Sequence, residues 1–112
     1  MIRGEIYFAE LSSTIGSETN KKRPVVIVSN NKNNEFSETI TIVPLTSNIE
    51  KIYPFEVFLP FNKTGLSKDS KAQCHQIRTI SKHRMVNQSI GNLPLSEIQM
   101  IEEALKLHLD LW

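Results

Sequence analysis

Short runs of β-branched and aromatic residues, each fenced by turn formers, recur through most of this chain and give way to one helical segment at the C-terminus. Glu5–Leu11 has strand composition, and Pro24-Val25-Val26-Ile27-Val28 is a continuous apolar run between turn formers, so both read as strands. Thr39–Val43 alternates as a half-buried strand does, and Pro44 after it points to an edge or a bulge. Phe55–Leu59 repeats the pattern between two prolines, and Lys71–Ile80 reads as a fifth, longer strand. Its period of two puts Gln73, His75, Ile77 and Thr79 on one face and Cys74, Gln76, Arg78 and Ile80 on the other. Asn30–Asn34 and Asn62–Asp69 read as turns, Ser81–Met85 as one helical turn capped by Ser81, and Gln88–Gly91 as a further short strand.

At the C-terminus Ser96 and Gln99 have capping-box spacing, with Ser96 as N-cap. Ile98, Ile101, Leu105, His108 or Leu109, and Trp112 then recur at helical spacing, which predicts one stripe packed on a sheet with Glu102, Glu103, Lys106 and Asp110 in water. The fold class expected is mainly β: a small, curled antiparallel sheet or barrel with a helix against it. With 112 residues there is room for one core, so residues 1–112 are expected to form one domain. Hydrophobic residues at 39% and charged residues at 22% exclude a disordered chain. A chain this long buries roughly two thirds of its unfolded surface, so it needs neither disulfides nor a structural metal.

The single cysteine, Cys74, has no intramolecular partner, and no Cys/His cluster has zinc-ligand spacing. No stretch approaches the roughly 18 apolar residues of a membrane span, and Met1–Glu5 does not open a signal peptide. A soluble protein of the reducing cytoplasm, with no membrane association, is the expectation. The net charge is +1, yet Glu97–Trp112 carries −3 and Lys63–Arg84 carries +5. Such a basic stretch attracts nucleic-acid phosphates through counterion release.

The chain has no phosphate-binding glycine loop, no H-E-x-x-H, no EF-hand and no G-x-S-x-G, which disfavours most cofactor enzymes. What remains is a set of polar residues at strand ends. Arg23 ends a Lys21-Lys22-Arg23 run, and Pro24 restricts its backbone to extended conformations, so its direction is set while its neighbours' is not. Thr46 follows a strand, and Gln73 and His75 share a strand face. The polar stretch Ser12–Arg23 is long for a hairpin connection, and long loops in compact domains are commonly functional.

In order along the chain, Arg3-Gly4-Glu5-Ile6-Tyr7, Gly16-Ser17-Glu18 with Arg23-Pro24-Val25-Val26-Ile27-Val28, Thr46, and Gln76-Ile77-Arg78-Thr79-Ile80 closely resemble the MazF/PemK toxins of bacterial toxin–antitoxin pairs. Asn34-Glu35-Phe36-Ser37 is similar to that family's N-x-F-S loop, and Tyr53–Val57 to its central strand. The resemblance implies a small SH3-like barrel of about five to seven strands plus a C-terminal helix, a homodimer, and a cognate antitoxin as partner. It implies a sequence-selective, metal-independent endoribonuclease acting on single-stranded RNA without a cofactor. The family's catalytic arginine and threonine fall on Arg23 and Thr46. Ser17, Glu18, Gln76 and Arg78 carry over as substrate-positioning residues, and Gln73 beside them is a further candidate for RNA binding.

Where one branch of the family reads R-C-D-Q, this chain has Gln73-Cys74-His75-Gln76, and another branch has glutamate at the His75 position. Ser17 stands where the first branch has histidine, and Thr19-Asn20-Lys21 replaces the usual Gln-Gly-Gly. Metal-free cleavage of RNA needs a base for the 2′-hydroxyl, a stabiliser of charge on the phosphorus oxygens and an acid for the leaving 5′-oxygen. Imidazole suits the first role, so His75 is the expected base. Arg23, permanently ionised with forked donors, suits the second, with Thr46 adding a hydrogen bond. Phe36, Tyr53 and Phe61 are available to stack bases. The competing expectations are a non-catalytic toxin of the same fold that binds gyrase, and a plain RNA-binding barrel. The nuclease reading requires Arg23 and Thr46 to share one concavity.

Overall fold

The computed structural model describes residues 1–11 and 22–112. Seven strands run through it: β1 (Glu5–Glu10), β2 (Lys22–Ile27), β3 (Thr39–Thr46), β4 (Glu56–Leu59), β5 (Ser70–Gln73), β6 (Arg78–Ser81) and β7 (Met85–Asn92). They form one antiparallel sheet in the order β4-β5-β3-β2-β1-β7, with β6 also paired to β3. The sheet curls without closing, so the expected barrel is an open one. The helices are α1 (Asn31–Phe36), α2 (Phe61–Thr64) and α3 (Leu95–Leu109).

Burial on both faces explains the unbroken apolar run of β2. Val26 joins Ile6, Val43, Leu45, Leu59, Ile101 and Ala104 in the core under α3, while Val25 and Ile27 join Tyr7, Ala9, Ile40, Ile42 and Ile80 in a second core on the opposite side. Each of these β2 side chains is essentially inaccessible to water. Fully burying a side chain of this size stabilises the fold by about 1.5–3 kcal/mol.

The fifth strand is where the sequence expectation breaks down. Lys71–Ile80 is not one strand but β5, a 3-10 turn at Cys74–Gln76, and β6. β5 pairs with Leu45–Thr46 and β6 with Thr39–Ile42, and the two pairings differ in register by three residues, which the turn absorbs. The two-residue period therefore does not carry across the turn. Pro44 lies between the two stretches of β3, where the strand changes partner. β3 is interior rather than an edge, because the missing N–H falls at the gap in the ladder.

Two expected turns contain helix. Asn30 caps α1 by accepting the Asn33 N–H at 2.8 Å, and α2 starts after Pro60. Ser81 does cap a 3-10 turn at Lys82–Arg84, accepting the His83 N–H. The last expected strand is longer than read, running the length of β7. Ser96 is not the cap of α3. Pro94 holds that position, suited to it by its fixed φ, and the Ser96 hydroxyl instead donates to Glu97 at 2.6 Å. The helix stripe is buried only at Ile101 and Ala104, flanked by Ile98 and Leu105, while His108, Leu109 and Trp112 are exposed. No described helix is long and apolar enough to cross a membrane.

Candidate active site

β2 begins where β3 ends, and this end of the sheet carries the site. The β2–β3 ladder runs from Ile27↔Ile42 to Val25↔Pro44, and Arg23 and Thr46 each lie two residues beyond its last pair, at the same end of the sheet. Both line one groove of about 660 Å³. Lys22 and Arg23 are on its β2 side, and Ser67, Lys68 and Ser70 lie in the α2–β5 segment. Leu45, Leu66 and Ile90, all part of the α3-side core or packed on it, also line the groove. Among the described lining residues the charged ones are Lys22, Arg23 and Lys68, all cationic.

The Thr46 hydroxyl is oriented. Its oxygen accepts the backbone N–H of Asn48 at 3.2 Å, which leaves the hydroxyl proton to donate elsewhere. Pro24, also in the groove, keeps Arg23 extended. The α2–β5 segment owes its place to a close approach of two backbones. Gly65 ends α2 in the left-handed region at φ 84°, and a Cβ on Gly91 would lie 2.1 Å from the Thr64 carbonyl oxygen.

Behind Thr46 is a buried ion pair. Lys71, paired with Thr46 across β3–β5, places Nζ 3.0 Å from the Glu56 carboxylate and also donates to the Lys51 carbonyl. Glu56 accepts the Tyr53 N–H at 2.9 Å, so the connection leaving Thr46 is tied back near its far end. Burial pushes the Glu56 carboxyl up, but the Tyr53 hydrogen bond and Lys71 together outweigh it and hold the group below its ordinary range. Cys74, wholly buried beside them, is a thiol pushed up to about 12 by burial and by the Glu56 charge.

His75 is elsewhere. The turn at Cys74–Gln76 puts its ring edge-on to Phe55 at 4.6 Å and 6.4 Å from the His108 ring, against α3. Its Nδ1 is buried with no hydrogen-bond partner among the described residues. Neither His75 nor Gln73, Gln76 or Arg78 lines the groove within one chain. Gln73 pairs with Glu56 at the β4 side, Gln76 is exposed in the turn, and Arg78 pairs with Ile42 in β6. The expected positions Ser17 and Glu18, and all but the end of the long polar loop, lie outside the described residues.

Phe36, Tyr53 and Phe61 are exposed but do not line the groove; the aromatic side chain there is Phe8. Neither Phe8 nor Lys68 stands out as a site residue in the sequence. Phe8 sits in a strand whose aromatic content reads as core, and Lys68 in a turn whose neighbour in space is β7, far away in sequence.

Residues 2–109 match the family described as PemK-like, MazF-like toxin of type II toxin–antitoxin system. The chain is 48% identical over its whole length, and over 98% of the relative, to endoribonuclease MazF9 of Mycobacterium tuberculosis. It is 36% identical to endoribonuclease EndoA of Bacillus subtilis, over 97% of this chain and 94% of that one. In fold it is similar to a mycobacterial endoribonuclease solved with its cognate antitoxin, with a TM-score of 0.82 at 23% identity over 100% of this chain and 97% of the other. The M. tuberculosis toxin MazF-mt6 superposes with a TM-score of 0.81 at 25% identity, over 96% and 98% of the two chains. Matched by that family over residues 2–109 and 48% identical to one of its members over its whole length, the chain belongs to the PemK-like, MazF-like toxins of type II toxin–antitoxin systems.

Proposed function

We propose that this chain is an endoribonuclease toxin that cuts single-stranded RNA in the groove between Arg23 and Thr46, without a metal, by attack of the adjacent 2′-hydroxyl on phosphorus. The observation that carries the reading is the meeting of a guanidinium and an oriented strand-end hydroxyl in one cationic groove. Arg23 takes the charge that grows on the non-bridging oxygens, and Thr46 donates a hydrogen bond to one of them. The P–O5′ bond breaks as the 2′-oxygen bonds to phosphorus, with solvent in the groove taking the 2′ proton and supplying one to the departing 5′-oxygen. Lys22 and Lys68 hold flanking phosphates.

His75 stands apart from that groove within one chain, and its part in this reading is to hold the Cys74–Gln76 turn against α3. Selectivity for a short sequence comes from base contacts in and beside the groove, with Gln73, Gln76, Arg78, Ser17 and Glu18 as candidate positioning residues. The relatives at 36% and 48% identity are named endoribonucleases, which leaves the gyrase-binding alternative unsupported.

A related mycobacterial endoribonuclease is described in complex with its cognate antitoxin. For this chain we infer a homodimer inhibited by an antitoxin whose acidic segment orders on the cationic groove. Its working place is the cytoplasm, where transcripts are. The test is incubation of the purified protein with a long unstructured RNA in EDTA. Cuts at one short recurring sequence support the reading; intact RNA, with or without saturable binding, contradicts it.

A further inference from the structure

We propose that Phe8 is the stacking platform for a base beside the cleaved phosphate, a substrate-binding part of the site that rests on the endoribonuclease reading above. Phe8 is 37% exposed and belongs to neither core, although both its neighbours, Tyr7 and Ala9, are buried in one. It lines the groove that holds Arg23 and Thr46. Its ring is the aromatic surface among the described lining residues.

Position supports the assignment as much as exposure does. In the β1–β2 ladder Phe8 faces Pro24, which lines the same groove, and Arg23, the adjacent residue of β2, enters that groove from the strand's end. Strands are about 4.8 Å apart with a rise of about 3.4 Å per residue, so the Phe8 and Arg23 backbones lie within about one nucleotide's length of each other. Lys22 and Lys68 supply cationic contacts in the same groove, so the backbone has anchors while a base turns toward the ring.

Chemistry gives the ring work to do. The 2′-oxygen of a stacked, A-form strand does not lie in line with the departing 5′-oxygen, so the nucleotides flanking the cut must be splayed apart. A rigid aromatic face receives an unstacked base at low entropic cost, and it accepts every base through its π surface. Edge contacts near it then decide which base is retained. Stacking strengthens ground and transition states alike, so its loss appears mainly in KM.

The test uses a short RNA spanning the mapped cleavage site, with 2-aminopurine placed in turn on each side of the cut and 2′-deoxyribose at the attacking position to block cleavage. Wild type is expected to quench the probe on one side only. Phe8→Leu, which keeps an apolar strand residue, should lose that quenching and, with cleavable RNA, raise KM about tenfold while kcat changes little, the size expected for one base–aromatic stack. Phe8→Trp should retain both. Wild-type quenching and KM in folded Phe8→Leu overturn the proposal while leaving the nuclease reading intact. Failure of wild type to bind or cleave the RNA overturns both.

Discussion

Lys71 faces Thr46 across the β3–β5 ladder while its Nζ lies 3.0 Å from the Glu56 carboxylate, so a nearly buried ion pair underlies the hydroxyl of the candidate active site. Removing one partner leaves the other charged and poorly solvated. Lys71→Met should cost about 3 kcal/mol, measured by denaturant unfolding, and adding Glu56→Gln should restore part of it. The pH dependence has a definite sign. Because the folded carboxyl is held below its ordinary value, its contribution is complete above the unfolded carboxylate range and is lost as pH falls through the lower, folded value. The stability gap between wild type and Glu56→Gln should therefore narrow as pH falls below the ordinary carboxylate range. A gap that widens would contradict the assignment.

Thr46 is assigned a donor role, and its two functional halves are separable. Thr46→Ser keeps the hydroxyl and should retain most of the activity. Thr46→Val removes the proton donated to the phosphoryl oxygen and the acceptor for the Asn48 N–H. Single-turnover cleavage should fall by about 10²-fold, in the range seen for loss of one oxyanion donor. Equal rates in Val and Ser variants would remove the hydroxyl from the chemistry.

His75 presents a different expectation. With its ring against Phe55 and its position off the groove, His75→Asn should loosen the turn and lower the melting temperature. The pH–rate limb in the imidazole range, where one exists, should persist. Its disappearance would return His75 to the role of base, reached from a neighbouring protomer.

Cys74 should be inert. Wholly buried and with a thiol pushed up to about 12, it carries almost no thiolate at neutral pH. Alkylation by iodoacetamide should be negligible in the native protein and complete after unfolding. Rapid native labelling, followed by mass spectrometry, would show that the β5 end opens readily.

Much of this architecture is legible along the chain, because strand composition and the helical stripe are local signals. The direction of Arg23 is legible through Pro24, whose steric restriction acts on the adjacent residue. The break in Lys71–Ile80 is not a local signal, because its cause is a three-residue register difference against β3, set by pairing with distant residues. His75 lies off the groove within one chain for the same reason: the two-residue period ends at the turn that carries it. Phe8 is not legible in the same way, because composition does not separate a ring packed in a core from one lining a groove. Lys68 needed the close approach of Gly91 to Thr64, which joins segments far apart in sequence.

The most direct test of the central claim is the chemistry of the cut ends produced by wild type and Arg23→Ala in EDTA. Attack by the 2′-hydroxyl predicts a 2′,3′-cyclic phosphate on one fragment and a 5′-hydroxyl on the other, with single-turnover rates at least about 10²-fold lower for Arg23→Ala. Fragments bearing 5′-phosphate and 3′-hydroxyl, or an Arg23→Ala variant cutting at the wild-type rate, would contradict it.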